Sequence, residues 1–77
     1  MTKQEKIKLQ KLEARKYLTY RRYKYVGMDE LSVERANASW YALYEFMSEI
    51  GISQDLTLPE HDEAFKLYLE EKTDKKV

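Results

Sequence analysis

Four cations in the first third of the chain, Lys8, Lys11, Arg15 and Arg22, fall on one strip of a helix at 100° per residue. They would span about 21 Å of axis at 1.5 Å per residue. Arg21 and Tyr20 stand beside the strip, in a segment from Arg15 to Tyr25 that alternates Arg and Lys with tyrosine. Cations interleaved with rings suit nucleic acid, because the charges neutralise phosphates while the rings stack on bases. The same strip also suits an acidic protein surface. The commonest role of such a strip is plainer: pairing with acidic neighbours in its own chain and with water.

A mirror-image set lies near the other end. Glu60, Asp62, Glu63 and Glu70, followed by Glu71 and Asp74, form a second candidate surface. Carboxylates at helical spacing can occupy a Lys/Arg groove where phosphates would sit. Many helices are this acidic for solubility alone. The single histidine, His61, lies between Glu60 and Asp62. One imidazole with two sequential carboxylates does not make a metal site, which needs ligands converging from separate turns. His61 is therefore expected to be partly exposed and without catalytic duty. The chain has no cysteine and only two glycines, twenty-four residues apart. That leaves no Cys-based zinc site, no disulfide and no glycine-rich phosphate loop. No Ser/His/Asp set can be assembled. The expectation is a protein that is not an enzyme and has no cofactor and no metal. A bundle of this size is also expected to lack a pocket of about 300 Å³ or more.

The elements that must position these residues are set by the punctuation at Gly27, Gly51 and Pro59. Glycine just past a periodic run is a common helix stop, because it takes the left-handed conformation without penalty. Helices are predicted over about 3–26, 30–50 and 58–72, with a frayed tail at 73–77. Asp29 or Ser32 would cap the second helix. Thr57 would cap the third, with Pro59 in its first turn and Glu60 completing a capping box. In the second helix Val33, Ala36, Trp40, Leu43, Met47 and Ile50 step by three and four, a seam that faces one partner. Trp40 belongs to that seam and is expected to pack in the core, whereas Tyr41 and Tyr44 flank it as candidates for a contact surface. Asn37 and Ser39 either make a polar contact across the bundle or face solvent.

The first helix carries two apolar stripes: Ile7, Ala14, Leu18 and Tyr25 on one side, and Leu9, Leu12, Tyr20 and Tyr23 nearly opposite. One stripe suffices for a surface helix. Two imply a helix between two others, in the same chain or in a second copy, unless the tyrosines cover a face with their rings and keep their hydroxyls wet. The third helix offers His61, Ala64, Phe65, Tyr68 and Leu69 amid carboxylates, to close one end of the hairpin or, as the alternative, to serve as a mobile docking helix for a partner.

At 77 residues one domain is expected, spanning 1–72, with a marginal core. The formal net charge of zero is a cancellation. Residues 1–27 hold nine cations and two anions, which is +7, and residues 28–77 hold five cations and twelve anions, which is −7. Neither a signal peptide nor a membrane span is expected, and the expected location is the cytoplasm. The predicted architecture is all-α: an antiparallel helical hairpin plus a short third helix. Ten aromatic residues exceed what one such unit buries, so two copies are expected to pair into a dimeric helical bundle, with a compact three-helix monomer as the alternative. Short, charged, aromatic-rich chains of this kind resemble the accessory proteins of bacteriophages and mobile elements, many of which bind a larger host protein and inhibit or redirect it. The leading expectation is a small homodimeric protein-binding module that acts by occluding a larger partner. The alternatives are a dimeric nucleic-acid binder using the basic first helix, and a structural oligomerisation subunit.

Overall fold

The computed structural model describes residues 1–74 of the 77. Three helices form, in the order α1 Lys3–Val26, α2 Glu30–Glu49 and α3 Pro59–Asp74. α3 thus runs on through Thr73 and Asp74, the first two residues of the expected tail; residues 75–77 lie outside the described residues.

Local chemistry accounts for each boundary. Thr2 and Glu5 open α1 as a capping box: the Thr2 hydroxyl accepts from the Glu5 amide, and the Glu5 carboxylate accepts from the Thr2 amide. Those bonds hold the Glu5 carboxyl below its ordinary pKa. Gly27 closes α1 at φ 75°, where the Gly27 amide donates to the Lys24 carbonyl and the Met28 amide to the Tyr23 carbonyl. α2 ends by the same device: Gly51 stands at φ 79° while its amide donates to Ser48 and the Ile52 amide to Met47. Asp29 caps α2, accepting from both the amide and the hydroxyl of Ser32.

The start of α3 differs from the expected capping box. Pro59 is its first residue, but the Thr57 hydroxyl and amide both donate to the Asp55 carboxylate. Asp55 lies two residues before Thr57 and offers a charged acceptor, so a local Asx turn takes the hydroxyl that capping would have used. The Leu58 carbonyl instead receives the first helical amides, from His61 and Asp62.

α1 packs against both other helices, and α2 and α3 do not pack against each other. α1 thus has two neighbours within one chain: Ala14 and Leu18 of one stripe are buried, Leu9, Leu12, Tyr20 and Tyr23 of the other are half-buried, and Ile7 and Tyr25 are exposed. Contacts between α1 and α2 run in opposite order, Glu13 with Trp40 and then Lys16 with Ser39, so this pair lies antiparallel. The Lys16–Ser39 bond is the polar contact across helices that Ser39 was a candidate for. Contacts between α1 and α3 run in the same order, Glu13 with His61 and then Arg22 with Glu63. The 50–58 segment makes this parallel return possible, crossing the early part of α1 where Gln10 donates to the Ser53 carbonyl. The fold measures 47 × 25 × 15 Å. Because α2 and α3 each pack on α1 and not on each other, the helices form a layer with α1 in the middle.

A single layer buries little. Among the described residues the buried apolar side chains are Ala14, Leu18, Met47, Ile52 and Ala64. The α2 seam holds as far as Met47, with Val33, Ala36, Trp40 and Leu43 half-buried. Ile50 is exposed, because the left-handed turn at Gly51 redirects the chain and hands the buried position to Ile52. Among the described residues no helix is long and apolar enough to cross a membrane.

The turn at Gly27 yields a direct check. A Cβ there would meet no neighbour within 4 Å, so Gly27→Ala tests backbone conformation alone. The left-handed conformation costs an L-residue about 1–2 kcal/mol. Urea titration of Gly27→Ala should give about 1 kcal/mol less stability with an unchanged m-value. An unchanged midpoint would show that this closure does not hold the hairpin.

Candidate functional site: an aromatic groove floored by a buried carboxylate

Because α2 and α3 flank α1 without meeting, a trough remains above α1. It is an open groove of about 740 Å³, larger than the space expected of a fold this small. Tyr17 and Arg21 of α1 form its base, and Trp40 and Tyr44 of α2 form one wall. His61, Phe65 and Tyr68 of α3 form the other wall, with Gln54 and Leu56 of the connecting segment across one end. On α1 the row Glu13, Tyr17, Arg21 steps by four, which keeps these residues on one face.

Beneath this base lies Glu13, which has no solvent exposure. Its Oε2 accepts from Trp40 Nε1 at 2.6 Å and from Gln54 Nε2 at 2.8 Å. Its Oε1 lies 2.7 Å from His61 Nε2, whose N–H donates to it. A buried carboxylate is tolerated only when charge and hydrogen bonds compensate it, and here three donors do so. His61 is buried, at 7% exposure, rather than partly exposed as expected. The reason is its position one turn into α3 on the side facing α1, where Glu13 receives it. No buried side-chain nitrogen or oxygen among the described residues lacks a partner.

Above Glu13 the rings are in contact. The Tyr17 ring centroid lies 4.9 Å from that of Trp40 and 5.6 Å from that of His61. Trp40 and Tyr44 stack at 5.4 Å with 24° between planes. Trp40 therefore serves both as a half-buried seam residue and as a groove wall. Tyr44 lines the groove as a candidate contact residue, whereas Tyr41 stands outside it, half exposed, with its phenol pKa raised by hydrogen bonding to Glu45.

The far end is cationic. The Arg21 guanidinium carbon lies 4.8 Å from the Tyr68 centroid, 5.2 Å from Tyr20 and 5.4 Å from Tyr17, and its Nε donates to the Tyr17 hydroxyl. Lys72 Nζ sits 4.7 Å from the Tyr68 ring. A hydrogen bond with Lys72, aided by the charges of Lys72 and Arg21 and opposed by Glu71, holds the Tyr68 phenol below its ordinary pKa.

The residues singled out from sequence do not form one surface. Lys8, Lys11 and Arg15 are exposed on α1, roughly 150° around the helix from the Glu13–Tyr17–Arg21 row at 100° per residue. Arg22 belongs to the same strip, but both its Nε and its Nη2 donate to Glu63 of α3. Arg21 and Tyr20 join the aromatic cluster on the other side. Of the acidic set, Glu63 is held by Arg22, Asp62 lies 3.3 Å from Lys66 at the groove rim, and Glu70 is exposed. Glu60 is half-buried. Sequence reasoning missed Glu13, which was counted only as one of two anions in a basic segment, and with it Gln54. A signal existed: a tryptophan expected in a core needs an acceptor for its indole N–H, and Glu13 shares a helix face with Tyr17 and Arg21.

The arrangement can stack flat or apolar groups between α2 and α3 and hold a negative charge at the Arg21 end. Among the described residues no three His, Asp or Glu side chains converge to hold a metal ion. Comparison with protein-family models, with curated proteins and with solved structures finds no match to this chain.

Glu13 can be tested alone. Glu13→Ala strands three donors and should cost about 3–5 kcal/mol of stability. Trp40 fluorescence should shift to the red as water reaches the indole. Glu13→Gln, which keeps carbonyl acceptance, should cost less. Equal losses in the two variants would show that the carboxylate acts as filler, not as a hub.

Proposed function

We infer that this chain is a non-enzymatic protein-binding module that acts in the cytoplasm by occluding a surface of a larger partner, with the aromatic groove as its contact face. The observation that carries this reading is the groove's apolar rim. Leu56 is 68% exposed, Phe65 57% and Tyr44 37%, and all three border one trough. Contiguous exposed apolar surface marks an interaction site more often than chance, and Tyr and Trp are the residues most enriched among binding anchors. The size and composition suit an accessory or inhibitor protein of a phage or mobile element.

A second reading rests on a separate observation. Lys8, Lys11 and Arg15 stay exposed on the α1 edge that neither α2 nor α3 covers, which suits a nucleic-acid backbone. Two sets of variants separate the readings. Capture of a dominant partner by the tagged chain should fail for Tyr44→Glu with Phe65→Glu and survive Lys8→Glu, Lys11→Glu and Arg15→Glu. The reverse pattern, together with a gel shift at 50 mM salt that fades steeply as salt rises, would favour nucleic acid or an acidic surface on the basic strip.

Self-association belongs to the same proposal. Every aromatic residue of the chain keeps some exposure, and Leu31, Tyr41 and Phe46 stand well out on α2, so a homodimer would cover surface that one copy leaves wet. Light scattering should give twice the chain mass, and Phe46→Glu should halve it. The chain mass for the unaltered protein at high concentration would rule the dimer out and leave a monomeric module; a dimer that binds neither protein nor nucleic acid would instead be a structural subunit.

A further inference from the structure

We propose that the groove takes an acidic peptide segment, with one aromatic or branched apolar side chain seated against Trp40 and Tyr17 and a neighbouring carboxylate held by the Arg21 guanidinium. This rests on the reading of the groove as a protein-binding face and adds the chemistry of what fills it.

Arg21 carries the argument. It is half-buried at one end of an apolar trough, and no carboxylate among the described side chains lies within 4 Å of it. Its neighbour Arg22, more exposed, does have such a partner in Glu63. Among the described residues only the Nε of Arg21 donates a hydrogen bond, to the Tyr17 hydroxyl, while three rings lie within 5.4 Å of the guanidinium carbon. That leaves both Nη groups, four N–H donors in a rigid fork, without a protein acceptor among the described residues. A planar fork with free donors matches a carboxylate in two-point contact. Lys72 Nζ, 4.7 Å from the same Tyr68 ring, adds a second positive charge at this end.

The apolar anchor follows from the other end. Trp40 flanks the Tyr17 ring at 4.9 Å and the Arg21 guanidinium carbon flanks it at 5.4 Å. An anchor side chain and a carboxylate therefore need only two or three residues of extended chain between them, at about 3.4 Å each. Peptide fits better than nucleic acid because the cationic end is small. A polyphosphate would bring several charges past Asp62, which lines the groove, whereas a single carboxylate among apolar side chains brings one.

Trp40 is the chain's only tryptophan and lines the groove, so its emission reports occupancy. Random heptapeptides displayed on phage should be selected on the full chain, with Tyr44→Glu plus Phe65→Glu as the blocked control. Enrichment of an aromatic or branched apolar residue close to Asp or Glu is expected. The enriched synthetic peptide should shift Trp40 emission, and its Glu→Gln or Asp→Asn version should bind about tenfold more weakly or worse. Arg21→Met, which keeps the apolar stem, should erase that difference between the peptides. If Arg21→Met does not fold, the paired peptides still read the same contact on the unaltered protein. Enriched peptides that are neutral or basic, or amide versions that bind equally, overturn this inference while the protein-binding reading stands. No enrichment over the blocked control overturns both. A thymidine oligonucleotide that quenches Trp40 only when Arg21 is present, with no acidic peptide selected, would assign the groove to nucleic acid instead.

Discussion

The carboxylate of Glu13 is the point on which this fold turns. It is sealed from water in the middle of the central helix, and it touches every other part of the chain: α2 through Trp40, the connecting segment through Gln54, and α3 through His61. In a large protein such a hub would supplement an apolar core. Here only five apolar side chains among the described residues are buried, two of them alanines, so directional bonds carry a share of the specificity that packing usually supplies. A buried charge is an expensive way to gain stability. It is an effective way to exclude other arrangements, because a register shift of α2 or α3 along α1 would leave Glu13 without its donors.

The same geometry explains why a chain with so small a core carries so wide a groove. Three helices packed in a triangle bury their shared axis. Three helices in a layer bury only two seams and leave the middle helix open on both sides. One open side of α1 shows Lys8, Lys11 and Arg15 to solvent, and the other shows the aromatic trough. The opposed charges of the two halves are accordingly not simply neutralised within the chain. Arg22 with Glu63 ties the basic and acidic halves, and so does the Glu13–His61 contact in its own way.

Much of the fold was legible in the sequence, and the reasons are local. Gly27, Gly51, Asp29 and Pro59 act within a few residues of themselves, so the helix boundaries follow from short-range chemistry. The two stripes on α1 foretold a helix with two neighbours, because burial faces are written in periodicity. What was not legible depends on which distant groups meet. Nothing in the spacing of Glu13, Gln54 and His61, more than forty residues apart at the extremes, announces that they share one hydrogen-bonded centre. Arg21 and Arg22 are adjacent and identical in type, yet one enters an aromatic cluster and the other an ion pair, and only the placement of α3 distinguishes them. Thr57 shows a smaller failure: two local motifs competed for one hydroxyl, and the nearer carboxylate won.

The parallel course of α3 beside α1 has a consequence for the order of assembly. Contacts of α1 with α2 join residues 23 and 27 positions apart, whereas those with α3 join residues 41 and 48 positions apart. Loop-closure entropy rises with separation, and contact order slows what must wait for distant segments. The α1–α2 hairpin is therefore the cheaper half to form, and during synthesis its residues emerge first. The second wall of the trough cannot exist until Tyr68 has been added and the chain has doubled back. The groove is thus a late product of folding, and a truncated or half-folded chain would carry Trp40 and Tyr17 without the cleft they serve.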